Sequence, residues 1–126
     1  MRVIEQEIIQ ALRQRQNFST SKVQDMYRKK EGRRDVIEWH KDFPGVFVYN
    51  LWGHQIAKGD TYAKVVEVSD CGYATSTTKS RLNAVFAAFD IPVSCSVRNK
   101  SMVYFCHGKE TVASTIGTGE WTVRIS

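Results

Sequence analysis

Apolar residues near the start of the chain recur at helical spacing. Val3, Ile4, Ile8, Ala11 and Leu12 share one stripe, with glutamates and glutamines across from them. This predicts a helix over residues 2–16. Glu5 and Glu7 lie early in it and Arg13 and Arg15 late, the order that suits the helix dipole, and Asn17 is a fair stop. From Ser21 the period falls to two. Val23, Asp25 and Tyr27 alternate with polar neighbours, Lys29-Lys30-Glu31-Gly32 reads as a turn, and Val36, Ile37 and Trp39 return. A β-hairpin with a basic tip is the expectation. Phe43-Pro44-Gly45, Gly53-His54 and Gly59-Asp60 then punctuate strands at Val46–Leu51, 55–58 and Tyr62–Ser69.

Leu82, Val85, Phe86 and Phe89 stand at i, i+3, i+4 and i+7 and predict a second helix over about 77–90, ended by Ile91-Pro92. Beyond it, Val93–Arg98 and Met102–Cys106 read as strands around Asn99-Lys100-Ser101. Thr111–Ile116 and Trp121–Ile125 read as a closing hairpin. The sum is an α+β fold: one domain over residues 1–126, mainly an antiparallel meander of hairpins, with two helices (about 2–16 and 77–90) packed on it.

Composition changes that picture little, but charge changes it locally. The 126 residues are 42% hydrophobic and 25% charged, enough apolar surface for a core without staples. No apolar run approaches the about twenty residues that span a bilayer, and the first residues lack a secretory leader's apolar stretch. Cys71, Cys95 and Cys106 form an odd set without a CxxC pair, the usage of a reduced cytosol. A cytosolic location is therefore the expectation. The formal charge of +5 is unevenly spread: residues 22–41 hold seven bases against four acids, and Arg28, Lys29, Lys30, Arg33 and Arg34 cluster at the hairpin. Such a cluster draws anionic partners; it also suits a solvated loop tip.

A second cationic point opens the second helix. Thr75-Ser76-Thr77-Thr78 precedes Lys79, Ser80 and Arg81, and a helix N-terminus offers unpaired N–H groups to a phosphate or carboxylate. On a helical wheel Lys79 and Arg81 flank the apolar stripe on opposite sides, so both are expected to reach solvent. The bland alternative is that the hydroxyls merely cap the helix.

Three stretches carry a resemblance: Tyr49-Asn50-Leu51-Trp52-Gly53-His54-Gln55-Ile56-Ala57, then Ser69-Asp70-Cys71-Gly72-Tyr73, then Thr75-Ser76-Thr77-Thr78-Lys79-Ser80-Arg81-Leu82-Asn83-Ala84. Their order resembles a family of small, functionally uncharacterised bacteriophage proteins in which Thr-Thr-Lys-x-Arg-Leu-Asn-Ala opens a helix. The resemblance spans roughly residues 46–105. Trp52-Gly53-His54 departs from the His-Gly-Asn order that is more usual in the family's turn, and the basic hairpin is longer than the family's usual first strands. The resemblance implies phage origin and a compact α+β domain; it implies no activity.

Catalytic and metal signatures are missing from the sequence. His40, His54, His107 and the cysteines show no CxxC, HxxxH or HExxH spacing, so no metal and no cofactor are expected. There is no P-loop, no GxSxG and no paired carboxylates at helical spacing, so no catalytic residue is assigned. The cysteines read as small buried residues. Phe43, Phe47, Tyr49, Trp52, Tyr62, Tyr73, Tyr104, Phe105 and Trp121 fall on or beside strands and suit either core packing or a stacking platform for single strands.

Three functional readings follow. The first is a non-enzymatic phage accessory protein that binds and inhibits a host nucleic-acid-handling or defence complex, of anti-CRISPR type. The second is a direct DNA- or RNA-binding module using the basic hairpin. The third is a small enzyme or phosphate-ligand binder at the helix-77 N-terminus. The residues assigned to a partner or anion are Arg28, Lys29, Lys30, Arg33, Arg34, Thr77, Thr78, Lys79 and Arg81. The expected partner is a host protein or nucleoprotein complex, with no membrane contact, and the chain is expected to act as a monomer or homodimer.

Overall fold

A computed structural model describes the backbone of residues 2–25 and 30–126, with side chains except at 23–31. The first helix, α1, spans Val3–Arg13, and its stripe buries Ile8, Ala11 and Leu12. Full burial of Ile8 or Leu12 is worth about 1.5–3 kcal/mol each. The second helix, α2, spans Ser76–Ala88. Both match the predicted helices in place: α1 is shorter at both ends, and α2 begins one residue earlier and ends two residues sooner. The fold is α+β, with strands far more numerous than helices.

Seven strands form the main sheet. In chain order they are β1 (Phe18–Ser19), β4 (Asp35–Trp39), β5 (Val46–Leu51), β6 (His54–Asp60), β7 (Val65–Val68), β11 (Thr115–Gly117) and β12 (Thr122–Ile125). They lie in the order β1-β4-β5-β6-β7-β12-β11. Alternation sends Asp35, Ile37, Phe47, Tyr49, Leu51, Val66, Val68 and Val123 into the core. A register shift between Tyr49 and Asn50 lets the consecutive Ile56 and Ala57 both be buried. The meander has one exception. After β7 the chain leaves through α2, and on its return β12 enters beside β7 in the same direction, a parallel pair.

Two smaller sheets complete the chain. The strands β8 (Val93–Arg98), β9 (Ser101–Cys106) and β10 (Lys109–Thr111) form one, and β8 packs against α2. The strands β2 (Lys22–Asp25) and β3 (Lys30–Arg33) form the other and pair only with each other. Here the expected turn moves. Lys30, Glu31 and Gly32 are strand residues facing Asp25, Gln24 and Val23, and residues 26–29 lie outside the described residues. The hairpin is therefore an arm over 22–33, and Val36–Trp39 belong to the main sheet instead.

Local chemistry explains the other displaced boundaries. The β5–β6 turn is Trp52-Gly53, one residue earlier than expected, with φ of 50° and 80°. That two-residue geometry needs left-handed conformations at both positions. Asn99-Lys100 and His107-Gly108 use the same device, with φ of 51° and 61° and of 50° and 80°. The Tyr62–Ser69 strand begins only at Val65, because the Asp60 carboxylate accepts the Tyr62 and Ala63 N–H groups, each at 3.0 Å, and holds a turn. The predicted Thr111–Ile116 strand is divided between two sheets, with the Thr111 hydroxyl accepting the Ala113 N–H at 3.2 Å in the bend.

Candidate functional site

The two cationic clusters read from the sequence meet at one buried carboxylate. Asp35 opens β4 in phase with Ile37, so its side chain points into the core, where it has no solvent exposure. Arg81, from the second turn of α2, donates Nε–H to Asp35 Oδ1 at 2.8 Å, and the Tyr49 hydroxyl donates to the same oxygen at 2.6 Å. Arg34 donates Nε–H to Oδ2 at 2.8 Å. Burial favours the neutral acid, but the hydrogen bonds from Arg81, Tyr49 and Arg34 outweigh it and hold the Asp35 carboxyl below its ordinary range. The same burial pushes the Tyr49 phenol up, aided by the Asp35 charge.

The network continues in both directions. Arg81 Nη1 donates to Ser80 Oγ at 3.0 Å, and Ser80 Oγ donates to Glu5 Oε1 of α1 at 2.8 Å. That hydrogen bond from Ser80 lowers the Glu5 carboxyl against its partial burial, and Arg2 adds to the effect. On the other side, the Asp35 N–H donates to Thr20 Oγ1 at 3.0 Å, and the Thr20 N–H returns to the Asp35 carbonyl at 3.0 Å. Arg33 Nη1 donates to the Thr20 carbonyl at 2.9 Å and to Ser19 Oγ at 3.3 Å. One polar chain thus runs from the first turn of α1, through α2 and β4, to the root of the basic arm.

Each assigned residue has a definite place or lies outside the description. Arg28 and Lys29 fall outside the described residues, and Lys30 lies in β3 opposite Asp25. Arg33 is exposed at the arm's root, and Arg34 is half-buried, with 37% of its side chain accessible. Thr77 and Lys79 are half-buried in the first turn of α2. Thr78 is buried and bonded to the cap: Thr75 Oγ1 accepts its N–H at 3.2 Å, and the two hydroxyls lie 3.2 Å apart. The largest correction is Arg81. It does not reach solvent beside the apolar stripe; only 3% of its side chain is accessible. The helix wheel failed because α2 is covered on several sides, by the sheet, α1 and β8.

Asn83, in the Thr77–Ala84 octet that opens α2, serves the same packing. Asn83 accepts the Cys95 N–H at 2.8 Å and donates to the Cys95 carbonyl at 3.0 Å, covering the free edge of β8. The sequence reading missed Asn83, Asp35, Tyr49, Ser80, Glu5 and Thr20. A signal for Asp35 existed: it alternates in phase with Ile37 and Trp39, and a carboxylate at an inward position demands cationic partners. Of the cysteines, Cys95 is buried and its thiol is pushed up to about 12 by that burial; Cys71 and Cys106 are only half-buried.

These contacts give the molecule an electropositive end. The Glu5–Ser80 contact at one end and Arg13 at the other show that α1 and α2 run parallel. Arg13 donates to the Ala88 carbonyl at 3.0 Å and the Ala87 carbonyl at 3.1 Å, covering the C-terminus of α2. Both positive helix ends therefore point to the end that carries the arm. The arm residues 22–33 hold five bases against two acids, a net +3 of the chain's +5. At the opposite end Arg13, Arg15 and Lys64 are balanced by Asp60, Asp90 and Glu120, with Arg13–Asp90 and Lys64–Glu120 ion pairs.

Among the described residues, no group of three His, Cys, Asp or Glu side chains is arranged to hold a metal ion, and no helix is long and apolar enough to cross a membrane. No curated protein and no solved structure matches the chain. A sequence model of the Kyanoviridae Gp96 proteins matches residues 1–123, a span that takes in α1, the arm and α2. The chain belongs to the Kyanoviridae Gp96 family of phage proteins.

Proposed function

We propose that this phage protein is a non-enzymatic accessory protein that binds a host nucleic-acid-handling or defence complex through its cationic end, and inhibits it in the host cytoplasm. The observation that carries the reading is the joining of the arm's root to the second turn of α2 through Arg34, Asp35 and Arg81. A cationic arm hung from a buried ion cluster has its root oriented before docking, which lowers the ordering cost of binding. Direct binding of DNA or RNA by the same arm is the second reading, favoured by its net +3.

Charge reversal at Lys29, Lys30 and Arg33 to Glu tests the proposal. Arg34 is left alone, because a glutamate there would face the buried Asp35 carboxylate. Tagged wild-type protein is expected to capture a nucleic-acid-handling complex from host lysate and to suppress its activity on its substrate. The reversed variant is expected to do neither while retaining the same unfolding temperature. Equal suppression by the folded variant would remove the arm from the function.

A further inference from the structure

The geometry points to single-stranded nucleic acid as the direct ligand of the cationic end, with the arm's root along the phosphates and Trp52, His54 and Tyr73 against the bases. This rests on the reading that the cationic end is the binding surface. The turn that carries Trp52 is tied to the arm: the Trp52 N–H donates to the Arg34 carbonyl at 2.7 Å. His54 follows across the turn and pairs with Leu51. Tyr73, on the loop that leads from β7 into α2, stands with its ring 5.0 Å from the imidazole of His54, tilted by 44°. His54 and Tyr73 therefore pack together from two segments, and Trp52 lies two residues from His54 on the turn whose backbone is tied to Arg34.

Tyr73 is set apart from the aromatic core by its exposure, and Trp52 lies at the core's edge. Phe47, Tyr49, Tyr104 and Trp121 are buried, whereas 46% of Tyr73 is accessible and Trp52 and His54 are half-buried. Phe43 and Tyr62, also exposed, lie at the charge-balanced end, where Arg15 sits 4.8 Å over the Tyr62 ring. At the cationic end accessible rings and the arm's net +3 coincide. Single strands present both phosphates and open base faces to such a surface; in a duplex the base faces are already stacked on one another. The arm alone would serve either form, so the rings are what select the strand.

Fluorescence anisotropy of labelled oligo-dT and oligo-rU of about 20 nucleotides, against a duplex of equal length, tests the inference. Wild-type protein is expected to bind the single strands more tightly than the duplex, with affinity falling steeply as salt rises. Tyr73→Leu keeps the apolar bulk and removes the stacking face. It is expected to weaken single-strand binding about 5- to 100-fold and leave duplex binding unchanged. Trp52→Asn tests the second ring at a left-handed position that asparagine tolerates, and is expected to act in the same direction. Preference for rU over dT would identify RNA as the source of the strand, and the reverse would identify DNA.

The inference is overturned if folded wild-type protein binds neither oligomer at low salt, or if Tyr73→Leu and Trp52→Asn bind single strands as wild type does. Loss of host-complex capture on charge reversal, with no oligomer bound by wild type, would keep the proposed function and leave a protein surface as the ligand. Retention of capture by the charge-reversed variant would sink both.

Discussion

Arg81→Met removes the cation that faces the most deeply buried acid. The substitution keeps most of the side chain's length and apolar volume, and deletes two hydrogen bonds, to Asp35 Oδ1 and Ser80 Oγ. Asp35 is left inside the core with Tyr49 and with Arg34, whose own side chain is more than one-third accessible and so gives a screened contact. Stranding one member of a buried pair costs about 3–5 kcal/mol. For a chain of this size that corresponds to a fall of about 10–20 °C in Tm. Urea unfolding and thermal melts at neutral pH measure it directly. The pH dependence supplies the check on cause. In wild type the Asp35 carboxyl is held below its ordinary 3.8, so its stabilisation is present above about pH 4 and is lost as pH falls through the lower, folded value. Without Arg81 the desolvation of Asp35 is far less opposed, its folded pKa rises, and protonation relieves the variant. The stability gap between variant and wild type should therefore narrow on acidification. Arg81→Met combined with Asp35→Leu should recover much of the loss, because no buried charge then remains unpaired. A loss below about 1 kcal/mol, or a gap that does not change with pH, would refute the reasoning.

Three other perturbations have defined outcomes. Thr75→Ala removes the oxygen that accepts the Thr78 N–H and should cost about 1 kcal/mol in urea unfolding, with Thr75→Ser close to wild type. Gly59→Ala places a methyl 2.3 Å from Cε1 of the fully buried Phe47, and overpacking of that kind costs about 1–3 kcal/mol in a melt; a neutral result would mean that Phe47 has room to move. A disulfide-exchange reagent at pH 8 should titrate Cys71 and Cys106 quickly and Cys95 only on unfolding, since the Cys95 thiol is buried and pushed up to about 12. Asn83→Ala, which bares the Cys95 backbone on the edge of β8, should speed labelling of Cys95; unchanged labelling would show that Asn83 does not guard that edge.

Much of the fold was legible because periodicity reports which face is buried. The stripe of α1 and the alternation of Val46–Leu51 each follow from one dominant apolar side. The parallel entry of β12 was not legible, because Thr122–Ile125 alternates alike in either direction and only its neighbour decides. The orientation of Arg81 was missed for a related reason. A helical wheel assumes one buried face, whereas α2 buries Thr78, Ser80 and Arg81 as well as Leu82, Val85 and Phe86. Local spacing also put the turn at Lys29–Gly32, while the arm's register, from Lys22 opposite Arg33 to Asp25 opposite Lys30, is set by pairing across the hairpin.

The octet that opens α2 illustrates how one stretch can read as a ligand site and be built for something else. Its hydroxyls and cations looked like an anion cradle, yet Thr78 turns to the cap, Ser80 to Glu5, Arg81 to Asp35 and Asn83 to Cys95. The first closes the cap of α2 and the last three tie α2 to distant segments, so the stretch works as a joint before it can work as a surface. Two arginines nevertheless converge on one carboxylate, and they are not equivalent. A single arginine would have sufficed to neutralise Asp35, and Arg81, almost wholly enclosed, does so. Arg34 leaves the same carboxylate toward solvent, next to Arg33 and the arm, so the cluster as a whole keeps a net positive charge. The core is thereby satisfied by one guanidinium while the second carries the excess to the surface. That asymmetry joins the two cationic signals of the sequence: one is the internal anchor, and the other is the face it holds out.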